Sequence, residues 1–475
     1  MSERSHGRGR YQRWGTVESM TEHADVIVLG MGPGGEHVAG TLAEAGMDVV
    51  GIDHRLLGGE CPYWGCVPSK MMIRAADAIA EARRVDDLAG SVERVEPSWT
   101  KVATRIREEA TDDWDDAAAV ERFEKKGGRF VRGTGRITGA RSVEVDGTEY
   151  SAQRGLVIAT GTEPLIPPID GLSGLDFWTN REAIEAEEVP SSLVVLGGGA
   201  IGCELAQVFA RFGSDVRIVE GERHLVSMEE VEACELLQEV FVDEGITVIT
   251  GAKATRVSKD GERFVVSVQN GDDVRGEKLL VATGRRADLG SLGVGAAGLD
   301  AEARFIDVDD RLRAGDGIWA IGDVTGKGLF THIAMYQANI AIKDIQGEDA
   351  EPADYTALPR VTFTDPEVGA VGLTEKQARE RGVDVAVGTA DVAKSARGWI
   401  HKATGFIKLV ADRRRGVLVG ATSAGPMGGE VLSMLTLAVH AAVRVETLRT
   451  MIYAYPTFHR GVEDALRDLD AKLTS

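Results

Sequence analysis

The 475-residue chain has few basic residues, few cysteines and no long apolar run. Its 54 lysines and arginines face 75 aspartates and glutamates, giving a net charge of −21. Nucleic acid and an anionic membrane are therefore disfavoured as partners, because the protein's own field repels them. No stretch of about 18 uncharged apolar residues occurs, so no membrane-spanning helix is expected. Four cysteines in a chain of this length argue against a structural disulfide framework.

The N-terminal segment gives no sign of secretion. Residues 1–19 are polar and basic and lack the apolar core of a signal peptide, so we expect a cytoplasmic protein. We expect a disordered extension over residues 1–23, with a start at Met20 as the alternative. The remaining composition, 43% hydrophobic and 27% charged, is that of an ordinary globular protein. Its length suggests about three domains.

Two stretches have the order strand, glycine turn, helix, strand and carboxylate that is typical of dinucleotide binding. In the first, an apolar run at 25–30 leads into Gly30–Gly35, a helical pattern and Asp53. Such glycines permit a tight turn and close approach of a pyrophosphate to the helix N-terminus, and Asp53 can accept hydrogen bonds from a ribose. A plain glycine turn in an α/β sheet is the alternative interpretation.

The second stretch runs through Gly197–Gly202 to Glu220. Glu220 would accept from a ribose 2′-hydroxyl and repel a 2′-phosphate, which favours NADH over NADPH. Arg223 argues the other way, because a nearby arginine can accommodate that phosphate. Two such units imply two dinucleotide-binding domains.

The segment Gly58–Lys70 contains two cysteines, Cys61 and Cys66. Five residues of ideal α-helix separate Cα atoms by roughly 8–9 Å, beyond the roughly 7 Å limit for a disulfide. A bridge therefore needs a distorted turn, which Pro62 and Gly65 make feasible. A metal site and a purely structural thiol pair are the alternatives, but no second Cys/His pair has zinc spacing, and no metal site is predicted. The other two cysteines, Cys203 and Cys234, lie in helical patterns and are expected to be small buried hydrophobes.

These motifs, two Ala-Thr-Gly strand ends at 159–161 and 282–284, and Gly322-Asp323 resemble the class I flavoprotein pyridine nucleotide–disulfide oxidoreductases. That family includes dihydrolipoamide dehydrogenase and mercuric reductase. The resemblance covers about residues 24–470, including motifs at 363–369 and 404–408 that are similar to the family's dimerisation domain. It implies an α/β fold with two Rossmann-like dinucleotide-binding domains and a C-terminal α+β dimerisation domain. The implied boundaries are 24–157 with 285–347 for FAD, 158–284 for NAD(P), and 353–475 for dimerisation.

The resemblance also implies roles for individual residues. Cys66 would lie beside the flavin, Cys61 would exchange with substrate, and Lys70 would lie near flavin N5 and pair with Glu204. A surface lysine and a helix-face carboxylate are the alternatives for that last pair. The residues implied for FAD are Gly30, Gly32, Gly35, Asp53, Gly59, Lys70, Gly135, Thr160, Gly161, Asp323 and Ala334. Those implied for the nicotinamide nucleotide are Gly197, Gly199, Gly202, Glu220 and Gly284.

The chain departs from the family near its end. The family's His-Pro-Thr-x-x-Glu supplies an acid/base histidine to the neighbouring subunit, but here Tyr455 replaces the histidine and Arg460 the glutamate. A tyrosine, with an ordinary pKa near 10, is no ready base at pH 7, whereas histidine titrates near 6.5. His459 could substitute if a helix begins after Thr457, or the acceptor needs no proton relay. A plain surface or interface role for His459 is the third interpretation.

The predicted function is that of an FAD-dependent homodimeric enzyme. It passes electrons from NADH through the Cys61–Cys66 disulfide to a small-molecule or protein disulfide. A helix N-terminus behind the motif is expected to lower the pKa of both thiols. One alternative is a diaphorase that reduces quinones or metal ions, and another is a flavoprotein subunit with vestigial catalysis. Mercury reduction is disfavoured because no cysteine follows Cys234, whereas mercuric reductases carry a C-terminal cysteine pair.

Overall fold

The structure is a computed structural model that describes residues 21–269 and 271–473. It confirms the α/β class with two Rossmann-type sheets and a C-terminal α+β unit. The first strand begins at Thr21, so residues 21–23 belong to the fold and not to the predicted extension. The rest of that predicted extension lies outside the described residues. The predicted domain boundaries stay predictions.

The N-terminal part builds most of the first sheet. Its elements are β1 (Thr21–Leu29), α1 (Pro33–Glu44), β2 (Val49–Asp53), α2 (Glu60–Tyr63), α3 (Cys66–Arg83), α4 (Val85–Leu88), α5 (Trp99–Arg105), α6 (Ala117–Lys125), β3 (Arg129–Arg132), β4 (Arg136–Gly139), β5 (Ser142–Val145) and β6 (Thr148–Ile158). A π-helical turn at Ile106–Ala110 follows α5. β1 pairs in parallel with β2 and β6, so its apolar run is buried on both faces, as expected of a central parallel strand.

The middle part forms the second nucleotide unit. Its elements are β7 (Glu163–Pro164), α7 (Asn180–Glu185), β8 (Ser192–Leu196), α8 (Ala200–Arg211), β9 (Asp215–Val219), α9 (Val231–Asp243), β10 (Thr247–Ile249), β11 (Ala254–Asp260), β12 (Arg263–Val268), β13 (Val274–Gly276) and β14 (Lys278–Val281). β15 (Arg285–Arg286) pairs with β7, and α10 (Leu289–Leu292) packs in the core of the first unit. The parallel strand order is β10-β9-β8-β14, and the antiparallel sheet β11-β12-β13 packs on one face of it. Cys203 and Cys234 are fully buried on α8 and α9, which confirms their predicted place in the core.

The chain then returns to the first sheet through β16 (Arg313–Gly315), β17 (Ile318–Ala320) and α11 (Thr331–Gln346). The completed path is β16-β17-β6-β1-β2-β3, with α1 and α11 packed against one another. This return brings Asp323, in a 3₁₀ turn at Gly322–Thr325, back to the carboxyl end of β1. In parallel sheets ligands bind at that end.

The final unit is an antiparallel sheet covered by helices. Its elements are β18 (Pro359–Thr362), β19 (Glu367–Gly372), α12 (Glu375–Glu380), β20 (Val385–Asp391), α13 (Ala396–His401), β21 (Phe406–Asp412), β22 (Val417–Gly425), α14 (Gly428–His440), α15 (Val445–Arg449) and α16 (Gly461–Leu473). The strand order is β18-β19-β22-β21-β20, with α14 and α16 packed on the sheet. Within the described ranges no helix is long and apolar enough to cross a membrane.

The segment that carries the two cysteines joins the first two units. α3 starts in the first unit, but its apolar face packs on the second, where Met72 lies in the same core as Phe209. Trp99 of α5 reinforces this contact, with its ring centroid 5.1 Å from that of Phe209. The cysteine turn is therefore held at the boundary between the two nucleotide units.

Candidate active site

The first glycine turn has the geometry of a dinucleotide cradle. Gly30 has φ +96°, and a Cβ there would lie 2.4 Å from the Ala159 carbonyl oxygen. A Cβ on Gly35 would lie 1.9 Å from the Gly30 carbonyl oxygen, so both positions require glycine. A Cβ on Gly32 would meet no atom within 4 Å, so this residue faces open space at the N-terminus of α1. The turn therefore fits a pyrophosphate.

Asp53 closes this cradle at the end of β2. Its carboxylate accepts the backbone N–H of Met31 at 2.7 Å and that of Arg55 at 2.9 Å. Each oxygen keeps lone pairs for further donors. The contacts hold the carboxylate beside the turn, where ribose hydroxyls of a bound dinucleotide would lie.

The second glycine turn repeats the same construction. A Cβ on Gly197 would lie 2.4 Å from the Ala282 carbonyl oxygen, and one on Gly202 would lie 2.0 Å from that of Gly197. Gly199, at the N-terminus of α8, faces open space as Gly32 does. Glu220 accepts a hydrogen bond from the Gly198 backbone N–H at 2.5 Å, as Asp53 does from the backbone N–H of Met31. The fold therefore contains two matched cradles.

Three other predicted FAD residues gather around the first cradle. A Cβ on Gly59 would lie 2.7 Å from Gly32 Cα, and the Ala334 Cβ lies 3.0 Å from where a Cβ on Gly34 would be. The Asp323 carboxylate accepts the Thr162 hydroxyl at 2.9 Å, and burial raises its pKa. The remaining predicted cofactor residues lie in loops after β3, β6 and β14: Gly135, Thr160, Gly161 and Gly284.

The two cysteines lie on either side of a break between two helices. α2 ends at Tyr63 and α3 begins at Cys66, with Gly65 as its N-cap, so the predicted distortion is present. Both cysteines are free, and the interaction of the Cys61 thiol with Cys66 Sγ raises the pKa of Cys61 and lowers that of Cys66. The Thr331 hydroxyl oxygen lies 3.3 Å from Cys66 Sγ.

The groups around the two sulfurs shift their pKa values in opposite directions. The pKa of Cys66 is lowered to about 6. The hydrogen bond from Cys61 contributes most, followed by that with Thr331 and by the charge of Lys70, whereas burial acts in the opposite direction. Donation to Cys66, together with burial, raises the pKa of Cys61. The prediction that both thiols become more acidic is therefore wrong for Cys61, because one proton serves both sulfurs. At pH 7 Cys66 is the thiolate and Cys61 the thiol.

Lys70 and Glu204 form the predicted pair. Lys70 Nζ lies 2.9 Å from Glu204 Oε2, and the other oxygen of this buried carboxylate accepts the Phe363 backbone N–H at 2.8 Å. Lys70 follows Cys66 by one turn of α3, so both face the same side. The simpler interpretation of a surface lysine and an unpaired helix-face carboxylate is wrong.

The C-terminal candidates lie away from the thiols of their own chain. Tyr455 is 71% exposed, and the Arg460 guanidinium lies 5.4 Å from its ring centroid. α16 begins at Gly461, so His459 lies in the turn just before that helix. Within the described residues neither Tyr455 nor His459 hydrogen-bonds to a cysteine. Their proton-relay roles stay predictions.

Sequence reasoning missed four residues around the cysteine turn. Thr331 reaches Cys66 across 265 positions of chain, and no motif marks it. Glu60 binds Arg181 of α7 and Arg285 of β15. A carboxylate directly before Cys61 was the one available signal, since a carboxylate packed among other groups needs cationic partners.

Two dinucleotide cradles in units that the cysteine turn joins, together with a cysteine pair backed by a lysine–carboxylate pair, define the class of nucleotide-dependent oxidoreductases.

The chain belongs to the pyridine nucleotide-disulphide oxidoreductase family. The family model matches residues 24–338, and the model of the family's dimerisation domain matches residues 358–466. Members of this family are enzymes that use FAD and NAD(H), and the second match supports a homodimer.

Relatives with different enzyme names have similar sequence identities to this chain. The dihydrolipoyl dehydrogenase of Chlorobaculum tepidum is 33% identical over 95% of this chain and 98% of its own length. The mercuric reductase of Streptomyces lividans is 33% identical over 92% of this chain and 94% of its own length. The Cu(II) complex of the HOCl-induced flavoprotein disulfide reductase RclA from Escherichia coli superposes with a TM-score of 0.82 at 26% identity, over 94% of this chain and 99% of that one.

Proposed function

We propose that this enzyme transfers electrons from NADH to the Cys61–Cys66 disulfide and from there to a small-molecule or protein disulfide. The observation that carries the proposal is the pair of free cysteines at the break between α2 and α3, with Thr331 beside Cys66, between two dinucleotide cradles. Bound FAD would supply the exchange between a hydride from nicotinamide and an electron pair for the disulfide. The residues present fit that cofactor at Gly30, Gly35, Asp53 and Asp323.

The two sulfurs have different tasks in this scheme. Cys66, at the N-terminus of α3, remains a thiolate because the helix end and the Lys70 charge stabilise the anion. Cys61 gives up its proton, attacks one sulfur of the acceptor disulfide and releases the other as the first thiol product. Cys66 then attacks Cys61 in the mixed disulfide, releases the second thiol and restores the bridge. Glu204 keeps Lys70 on the flavin side of the turn.

NADH is the proposed reductant. The carboxylate of Glu220 is fixed at the second cradle by the N–H groups of Gly198 and Glu222, at 2.5 and 2.6 Å. A 2′-phosphate placed there would meet a like charge in a partly buried site. A cytoplasmic location is part of the proposal, since the chemistry needs reduced nicotinamide nucleotide.

A spectroscopic titration tests the scheme. Anaerobic reduction with one equivalent of NADH should give long-wavelength absorbance from the Cys66 thiolate beside oxidised flavin. Cys66→Ser should abolish this absorbance, and Cys61→Ser should show it without reductant. Cys234→Ser, a buried thiol remote from the turn, is the matched control. Absorbance that survives in Cys66→Ser refutes the assignment of the two sulfurs.

Reduction of a metal ion or a quinone is the second candidate. It is favoured by the C-terminal departure, since neither acceptor needs the missing histidine–glutamate relay, and by the mercuric reductase and copper-complex relatives. Steady-state NADH oxidation with disulfides, quinones and metal ions as acceptors decides between the two. The intact set of Cys61, Cys66, Lys70 and Glu204 argues against vestigial catalysis.

A further inference from the structure

The carboxylate of Glu60, immediately before Cys61, is surrounded by polar groups of α7 and β15. It accepts from Arg181 Nε at 2.7 Å and from Asn180 Nδ2 at 3.1 Å, and it lies 3.4 Å from Arg285 Nη2. Both arginines are largely buried, at 16% and 13% exposure. Burial raises the pKa of Glu60, and the charge of Arg285 opposes that rise. Burying three charges is costly unless they are paired, so this arrangement fixes their positions closely.

A second contact holds the other end of the same turn. The Trp64 carbonyl accepts from Asn180 Nδ2 at 2.8 Å, and the Trp64 indole N–H donates to Glu185 at 2.6 Å. Asn180 and Glu185 lie at the two ends of α7. α7 therefore holds α2 on both sides of Cys61, through Glu60 before it and Trp64 after it.

The arginine side of this contact continues towards the first cradle. Arg285 Nε donates to the Thr162 hydroxyl at 2.9 Å, and that hydroxyl donates to Asp323 at 2.9 Å. One ion pair and two hydrogen bonds thus join Glu60 to Asp323, a carboxylate proposed to bind FAD. The cysteine turn and the flavin site share one polar support.

We propose that Glu60 is a positioning residue for the dithiol: its ion pairs with Arg181 and Arg285 keep the Cys61 thiol directed at Cys66 Sγ. α2 has only four residues, and one helical turn has no stability of its own, so its geometry must come from outside contacts. The inference rests on the proposed function of the two cysteines. It assigns the support of the outer thiol to α7 and β15, outside the cysteine turn.

Glu60→Gln keeps the shape of the side chain and removes its charge. We expect the looser turn to weaken the hydrogen bond from Cys61 to Cys66. The long-wavelength absorbance of NADH-reduced enzyme at pH 7 should then fall to about half, because less Cys66 is thiolate. Cys61, freed from that bond and less buried, should react with iodoacetamide about fivefold faster in dithiol-reduced protein. Peptide mapping identifies the modified cysteine.

Glu163→Gln is the matched control. Glu163 also pairs with Arg181, at 3.0 Å, and with Arg55, but among the described contacts it touches no residue of α2. Both readouts should stay at wild-type values in this variant. Glu60→Asp, which restores the charge on a shorter stem, should recover part of each effect, whereas a role in packing alone gives no such rescue.

Equal readouts in Glu60→Gln and Glu163→Gln overturn the inference. Should Glu60→Gln fail to fold, Arg181→Gln removes one of the two guanidinium partners and must shift both readouts the same way. Wild-type enzyme without long-wavelength absorbance would refute the proposed function instead. Alkylation needs neither NADH nor flavin chemistry, so the contrast between the two glutamate variants still decides the role of Glu60.

Discussion

Thr331→Val tests what keeps Cys66 ionised. The Thr331 hydroxyl lies 3.3 Å from Cys66 Sγ and is one of three groups that favour the thiolate, after the Cys61 thiol and before the Lys70 charge. Valine has nearly the same shape and no hydroxyl. The substitution therefore removes one hydrogen bond to the sulfur and leaves the helix start of α11 unchanged in outline.

The expected size follows from hydrogen-bond energies. A bond to a charged group contributes about 1.5 to 3 kcal/mol, and the low end applies because Cys66 is exposed in the chain. Since about 1.4 kcal/mol corresponds to one pKa unit, the pKa of Cys66 should rise from about 6 to about 7. The thiolate exists above this pKa and is lost as the pH falls. At pH 6 its fraction should drop from about one half to about one tenth.

The assay is a pH titration of the long-wavelength absorbance in anaerobically reduced enzyme. Thr331→Ser keeps the hydroxyl and should titrate as wild type does, which separates the hydrogen bond from the methyl group. A midpoint in Thr331→Val that stays within about 0.3 of the wild-type value would show that Cys61 and Lys70 hold the thiolate without Thr331. Our account of the acidity of Cys66 would then be wrong.

The two cradles give the remaining predictions. Gly32→Ala should lower FAD affinity by about tenfold or more without lowering the apoprotein melting temperature, because its Cβ meets open space in the protein and only the ligand is obstructed. Gly35→Ala should cost about 2 kcal/mol or more of stability in urea denaturation, since its Cβ would overlap the Gly30 carbonyl. Glu220→Ala should lower kcat/KM for NADH by about tenfold and for NADPH by less, and an unchanged ratio would place Arg223 in control of nucleotide choice.

The nucleotide units could be predicted because local patterns determine them. Asp53 ends the strand β2 that follows the first helical pattern, and each glycine turn is followed by its helix. A Cβ at Gly30 or Gly197 would collide with a backbone carbonyl oxygen, so both positions require glycine and can be recognised in the sequence. The carboxylates at the ends of β2 and β9, Asp53 and Glu220, could also be interpreted from local pattern, because Asp53 ends and Glu220 directly follows the second strand of its unit.

The support of the dithiol could not be predicted because it comes from distant chain. Thr331, Arg181 and Arg285 approach the cysteine turn only after the two nucleotide units have packed together. The division of acidity between Cys61 and Cys66 also depends on this packing, since it is set by which sulfur donates. The sequence indicates that two cysteines lie near a helix start, but it does not indicate which of the two thiols keeps its proton.

The C-terminal departure changes what the acceptor step requires. In disulfide exchange a thiol with a low pKa leaves readily as its anion, whereas an alkyl thiol with a pKa near 8.5 gains from a proton donor. Without the family's histidine, either His459 or Tyr455 in a homodimer must supply that proton, or the acceptor must not need it. Arg460 cannot replace the glutamate that orients a histidine, because it is a cation paired with Glu463.

Turnover of two disulfides separates these cases. If His459 is the donor, His459→Ala should lower kcat/KM for an alkyl disulfide by about 10²-fold or more and for an aromatic disulfide with an acidic thiol much less. Tyr455→Phe, which removes one exposed hydroxyl, should then have the smaller effect. Reversed effects would assign the proton to Tyr455. If neither variant alters the ratio of the kcat/KM values for the two disulfides, no relay operates. The acceptor must then be one whose reduction releases no basic thiolate. A metal ion or a quinone would then be the better candidate, because a diaphorase that bypasses the cysteines needs no proton donor from the final domain.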